Sequence, residues 1–256
     1  MTRHAQHDQP DRRASPQADA TPAVDGIVNV RKPVGASSAK YVYRLRPIFG
    51  TRKVGHAGTL DPFASGVLIG CLGRATKLVE LLMGLPKSYR TTLHLGVTNA
   101  TFDTEMPFEP VPAAAPIDRK AIEQAVARFV GAIPQIPPAF SAVKIHGVSS
   151  HRLAREGRAV PREPRTVRID RIEILGYAWP RLELDIRCGR GTYIRAIARD
   201  LGKQLGCGAC CESLTRTAVG PFDLQAAVSL DGTCDEAVRS ALVPLEDARK
   251  LLAAAE

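Results

Sequence analysis

Asp61 sits in the stretch Lys53–Gly73, KVGHAGTLDPFASGVLIGCLG, where Gly55, Gly58 and Gly66 surround a single carboxylate. An Asp-Pro pair among glycines is a common turn or helix cap. It is also what a catalytic loop requires, because a lone carboxylate acts as base or nucleophile when a nearby cation keeps it ionised. His56 lies five residues upstream, and the apolar run that follows can fix the loop at the floor of a cleft. Tyr193 and Arg195, just after a glycine turn and at the start of a helical pattern, are the residues placed to meet it. As a surface arginine, Arg195 would contribute little. Residue types and spacing do not choose between these readings. Cys207 and Cys210 have the spacing of a metal or redox pair, but tetrahedral zinc needs four ligands and no second close Cys/His pair is apparent.

The elements that must position these groups can be read from periodicity. Residues 26–30, GIVNV, form a short buried strand, and Ser37 or Ser38 caps a helix through about Leu45 that Pro47 and Gly50 end. Val67–Leu72 make a second buried strand. Ala75, Leu78, Val79 and Leu82 then follow helical spacing. Tyr89, Thr91, Leu93 and Leu95 alternate with polar residues as a half-exposed strand. A Pro- and Ala-rich linker over 107–117 leads to a helix capped by Asp118, carrying Ile122, Ala125, Val126 and Phe129, and closed by Gly131.

Between Pro134 and Arg171 lies a basic stretch in which eight Lys or Arg face three acidic residues; such a run is either a solvated face or a set of phosphate contacts. Two alternating strands follow, over 167–174 and 182–188, the first with a bulge between Ile169 and Ile172. A helix with Ile194, Ile197, Leu201 and Leu205 inward then ends at Gly206. Strands in succession without obligatory crossover helices predict an α/β protein of the α+β type, with a mixed, largely antiparallel sheet, flanking helices and a basic insertion.

The net charge of +9 favours a polyanionic partner such as RNA or DNA. No apolar run approaches the ~20 residues that span a bilayer, and the N-terminus lacks the apolar core of a secretory signal. Cys71 and Cys188 lie in apolar or alternating runs, an intracellular pattern rather than a disulfide framework. The expectation is a cytoplasmic protein with no membrane segment. Nothing suggests a coiled coil or large apolar stripe, so a monomer is expected.

Five segments, in order, resemble the bacterial tRNA pseudouridine-55 synthase family. They are GIVNVRKPVGASS (26–38), GHAGTLDPFASGVLIGCLGRATK (55–77), KSYR (87–90), PPAFSAVKIHGVSSHRLAREG (137–157) and CGRGTYIRAIARDLGKQLGCGA (188–209), and the resemblance covers roughly residues 26 to 217. It implies the pseudouridine synthase fold and isomerisation of uridine-55 in the T-arm of tRNA, by extruding the nucleotide, breaking its glycosidic bond and rejoining the base through carbon 5. It implies that Asp61 is the catalytic aspartate, His56 assists extrusion, Tyr89 stacks on the uracil and Arg195 pairs with the carboxylate. Lys32, Tyr193 and Leu214 match pocket residues, and Asp103 matches an aspartate of the active-site network. The segment around Asp103, GVTNATFDT, lacks the arginine and first aspartate common there. No cofactor or metal is implied.

The division expected is a disordered tail over 1–24, a catalytic domain over 25–230 whose RNA-clasping insertion (about 134–165) is mobile without RNA, and a short segment over 231–256 without a full extra RNA-binding domain. Rival readings are a synthase working in a guide-RNA particle, a catalytically silent RNA-binding or RNA-folding protein, and a metal or thiol module at Cys207, Cys210 and Cys211.

Overall fold

The computed structural model describes residues 24–140, 144–145, 148–149 and 163–254. The tail expected over 1–24, but for its last residue, and most of the insertion expected over 134–165 lie outside the described residues. In chain order the elements are β1 (Gly26–Lys32), α1 (Ser38–Tyr43), α2 (Leu45–Phe49), β2 (Val54–Ala57), β3 (Ser65–Leu72), a 3₁₀ turn (Gly73–Leu78), α3 (Val79–Gly84), β4 (Lys87–Leu95), β5 (Val97–Thr98) and β6 (Glu109–Pro110). They continue with α4 (Arg119–Ala127), β7 (Gly131–Gln135), β8 (Lys144–Ile145), β9 (Val148–Ser149), β10 (Arg165–Ala178), β11 (Arg181–Cys188) and α5 (Ile194–Leu205). The last are β12 (Ala209–Val219), β13 (Phe222–Asp223), α6 (Asp235–Ser240), β14 (Leu242–Pro244) and α7 (Leu245–Ala253).

One mixed sheet runs β14-β1-β3-β12-β4-β11-β10-β7, with β2 and β13 paired onto β3 and β12; β5–β6 and β8–β9 form separate ribbons. Every named strand pair is antiparallel except β3 with β12. The expected mixed, largely antiparallel sheet is thus present.

Burial explains why the strands read differently in sequence. β3 is buried at every residue after Ser65, because Leu68 and Leu72 join one core while Val67, Ile69 and Cys71 join a second core that also holds Leu82, Leu245 and Leu252. A strand covered on both faces reads as an unbroken apolar run. β4 alternates buried and accessible positions, since only the face bearing Tyr89, Leu93 and Leu95 meets the first core. Outer-face charges pair across strands, as in Arg181 with Glu212 and Arg171 with Asp185.

Several boundaries need correction. The helix expected to run through Leu45 ends at Tyr43, and Pro47 does not stop it but sits within α2, in the first turn, where a missing N–H is tolerated. Gly50, left-handed at φ 60°, closes α2. The pattern from Ala75 begins as a 3₁₀ turn. Gly131 does not close the Asp118-capped helix, which ends at Ala127; it opens β7. The linker contributes β6 to a short ribbon. The bulge is present as a register shift between Ile169 and Arg171, and Gly206 caps α5 in the left-handed conformation. Beyond Leu230, β14 pairs with β1 and so belongs to the main sheet.

The six cysteines are free, and all but Cys234 are buried. Burial pushes the Cys71, Cys210 and Cys211 thiols up to about 12 and Cys188 to about 11, so they stay protonated and unreactive at neutral pH. Ellman's reagent at pH 8 is therefore expected to modify Cys234 at once and the other five no faster than the protein opens. Rapid reaction of Cys207 or Cys210 in native protein would count against this packing.

Candidate active site

Asp61 lies in the loop from β2 to β3, where β3 changes partner along one edge. β12 pairs with Ser65 and Gly66, and β2 pairs with Ile69 through Leu72. The chain must leave the sheet between these two pairings. Gly58 makes the turn at φ 87°, a conformation strained for any residue with a side chain. Gly66, at φ 112°, lets β3 touch β12, since a Cβ there would collide with the backbone of Arg216.

The loop is tied down from beneath. Ser38 Oγ donates to Leu60 O (2.9 Å) and accepts from Leu60 N (2.8 Å), and Gly35 N donates to Pro62 O (2.7 Å). Lys32, wholly buried, donates to the carbonyls of Ala64 (2.7 Å), Pro33 (2.8 Å) and Pro62 (3.4 Å). Burial pushes the Lys32 ammonium down to about 8, with Asp61 pulling it back up.

Arg195, in the first turn of α5, joins two carboxylates. Its Nη2 lies 2.8 Å from Asp61 Oδ2 and its Nη1 3.1 Å from Asp103 Oδ2. It also donates to Thr101 O (3.0 Å) and Phe140 O (2.8 Å). The Asp61 side chain is 32% exposed and that of Asp103 1%, so only Asp61 can reach a bound molecule. Asp103 is itself fixed, accepting from Thr101 Oγ1 (2.6 Å) and Glu105 N (2.9 Å). Gln135 holds the start of α5, its Oε1 accepting from Tyr193 N (2.8 Å) and its Nε2 donating to Tyr193 O (3.2 Å).

Around Asp61 opens a cavity of about 340 Å³, lined by Tyr89, Tyr193, Arg195 and Leu214 among others. Among the described residues Asp61 is its single acidic lining residue, against Lys87, Arg165, Arg190, Arg195 and Arg216. This is a pocket for an anionic molecule with a flat apolar part. Tyr89 is buried in β4, and burial pushes its phenol up, so it stays neutral and presents a ring.

Of the sequence-selected residues, Asp61, Tyr89, Tyr193, Arg195 and Leu214 thus meet at the cavity. Lys32 lies under the loop and Asp103 behind Arg195. His56, on β2, does not line the cavity; its Nδ1 is buried without a hydrogen bond, and burial followed by the Arg216 charge pushes the imidazole down. Sequence reading missed Lys87, Gln135 and Arg216. The last had a legible signal: in β12, Arg216 shares the inward parity of Leu214.

Cys207, Cys210 and Cys211 pack in the core, Cys211 against Thr91 Oγ1. No group of three or more metal-ligating side chains occurs among the described residues, nor is any described helix long and apolar enough to cross a membrane.

A family model described as TruB family pseudouridylate synthase, N-terminal domain, matches residues 46–194, and one described as tRNA pseudouridylate synthase B C-terminal domain matches 195–249. The chain is 43% identical over 231 residues to tRNA pseudouridine synthase B of Dehalococcoides mccartyi strain CBDB1, covering 88% of this chain and 76% of that relative. To the protein of the same name from Mycobacterium tuberculosis strain H37Rv it is 48% identical over 223 residues, covering 85% and 73%. Among solved structures it is similar to a chain of a Cbf5-Nop10-Gar1 complex, with TM-score 0.68 and 30% identity over 88% of this chain and 62% of that one. It is also similar to a chain of an H/ACA ribonucleoprotein bound to a substrate RNA containing 2′-deoxyuridine, with TM-score 0.64 and 27% identity over 88% and 61%. It therefore spans less than two thirds of each of these solved chains.

Proposed function

The chain belongs to the TruB family of pseudouridylate synthases and is a tRNA pseudouridine synthase, and from that premise we propose that Asp61 acts on uridine-55 after the T-arm delivers that nucleotide, flipped out, into the Tyr89 cavity. One observation carries the reading: the acidic group that lines the cavity is held by a buried arginine at 2.8 Å beside an aromatic ring.

The geometry suits the chemistry. Isomerisation breaks the N-glycosidic bond, turns the uracil and rejoins it through carbon 5, so the base must stay enclosed while detached. Tyr89 and Leu214 give the base apolar surfaces to lie against, and stacking on an aromatic ring contributes ~1–3 kcal/mol. The Arg195 guanidinium stabilises the charged form of Asp61, so the carboxylate reaches the nucleotide ionised. Asp103 and Lys32 are positioning residues: the first orients Arg195, the second holds the loop. The basic side chains at the rim, Arg165 and Arg190, suit the phosphates on either side of the flipped nucleotide. His56 assists extrusion from its place on β2, outside the cavity lining.

The same reading has the enzyme act as a cytoplasmic monomer without a cofactor. Its exposed large hydrophobics, such as Val34 in the turn after β1, Leu81 in α3, Leu175 in β10 and Leu251 in α7, are spread over separate segments of the chain.

The test is tritium release from an unmodified T-arm hairpin labelled at uracil carbon 5. The expected result is release of one equivalent per hairpin, abolished when the target uridine is replaced. Binding without release, on the hairpin and on full-length tRNA alike, would favour a silent RNA-binding protein.

A further inference from the structure

We propose that Arg216 is a positioning residue for the isomerisation, clamping both ends of the Asp61 loop beside its cross-strand partner Tyr89; this rests on the reading of Asp61 as the reacting carboxylate. Arg216 is only 2% exposed and lies in the middle of the sheet. Its Nε donates to Val67 O (2.8 Å), just beyond the loop, and its Nη2 to Gly58 O (3.0 Å), just before Thr59. One planar guanidinium therefore bridges the two points between which Asp61 is suspended. Arg216 is also the direct cross-strand partner of Tyr89.

The backbone is built to bring this side chain there. Arg216 pairs with Gly66 in the parallel β3–β12 contact, and Thr215 and Ser65 hydroxyls meet at 3.0 Å beside it. Any side chain at Gly66 would force the strands apart. Burying a guanidinium is costly unless its donors are met, and here two are met by carbonyls that flank the loop it organises. A lysine keeps the charge but cannot bridge two carbonyls in a fixed plane.

The test compares wild type, Arg216→Lys, Arg216→Met and Asp61→Asn in single-turnover tritium release, hairpin affinity and backbone hydrogen exchange. Arg216→Lys is expected to slow turnover roughly 10²-fold, to leave the hairpin Kd within about threefold, and to speed exchange at residues 59–65 while the rest of the sheet is unchanged. A remote destabilised control, Leu252→Ala in α7, is expected to lower the melting temperature without changing loop exchange or the rate. If Arg216→Met does not fold, Arg216→Lys, which retains the buried charge, carries the test.

Turnover of Arg216→Lys at the wild-type rate, or loop exchange unchanged, overturns the proposal. So does a loss confined to Kd, which would make Arg216 an RNA contact. Asp61→Asn separates the two readings. Wild-type turnover by Asp61→Asn removes the assignment of Asp61 and this proposal with it; a silent Asp61→Asn beside a fully active Arg216→Lys removes this proposal alone.

Discussion

Replacing Asp61 with asparagine is expected to reduce tritium release by roughly 10³–10⁴-fold while hairpin affinity stays within about threefold of wild type. The substitution is nearly isosteric, so the loop tied by Lys32 and Ser38 keeps its shape and Tyr89 keeps its place in β4. What is lost is the negative charge and the lone pair that the isomerisation uses. Among the described residues no other carboxylate lines the cavity, and Asp103 is 1% exposed and pairs with the other terminal nitrogen of the same guanidinium. Asp61→Glu is expected to be nearly as inactive, since one added methylene moves the carboxylate off its 2.8 Å contact with Arg195 and misplacement of about 1 Å can cost 10²-fold. Single-turnover kinetics with saturating enzyme, alongside filter binding, checks both variants. Wild-type rates for Asp61→Asn would move the chemistry to another residue.

Local pattern carried much of this fold into the sequence. The alternation of β4, the Asp118 cap and the left-handed Gly206 are set by neighbours within a few residues, and each is found where periodicity puts it. The errors fall where local signals have two meanings. Pro47 reads as a stop but is equally at home in the first turn of α2, and Gly131, at φ 108°, opens a strand as readily as it closes a helix.

The site was legible in its parts and not in its assembly. Asp61 and Arg195 stand 134 positions apart, and nothing in their spacing shows that they meet; family resemblance supplied the pairing. Arg216 shows the converse. Its parity in β12 pointed inward, but its partners Gly58 and Val67 lie about 150 residues earlier, and the parallel β3–β12 contact that brings them together leaves no periodic trace. The order of strands in the sheet was hidden for the same reason.

Arg195→Met is expected to fail in two separable ways. Removing the guanidinium strands the fully buried Asp103 without its cation, and breaking such a buried pair costs about 3–5 kcal/mol, which should appear as a large drop in the urea midpoint. It also removes the hydrogen bonds that Arg195 donates to the carbonyls of Thr101 and Phe140. Turnover should fall by at least roughly 10²-fold, because Asp61 loses the group that orients and ionises it. The double variant Arg195→Met with Asp103→Asn distinguishes the two effects. Neutralising Asp103 removes the stranded charge, so stability should return in part, whereas activity should not, since Asp61 still lacks the Arg195 guanidinium. Arg195→Lys should fall between them, as one ammonium cannot serve two carboxylates and two carbonyls that the planar fork reaches together. Recovery of activity together with stability in the double variant would reduce Arg195 to a scaffold residue and leave the charge state of Asp61 to Lys32.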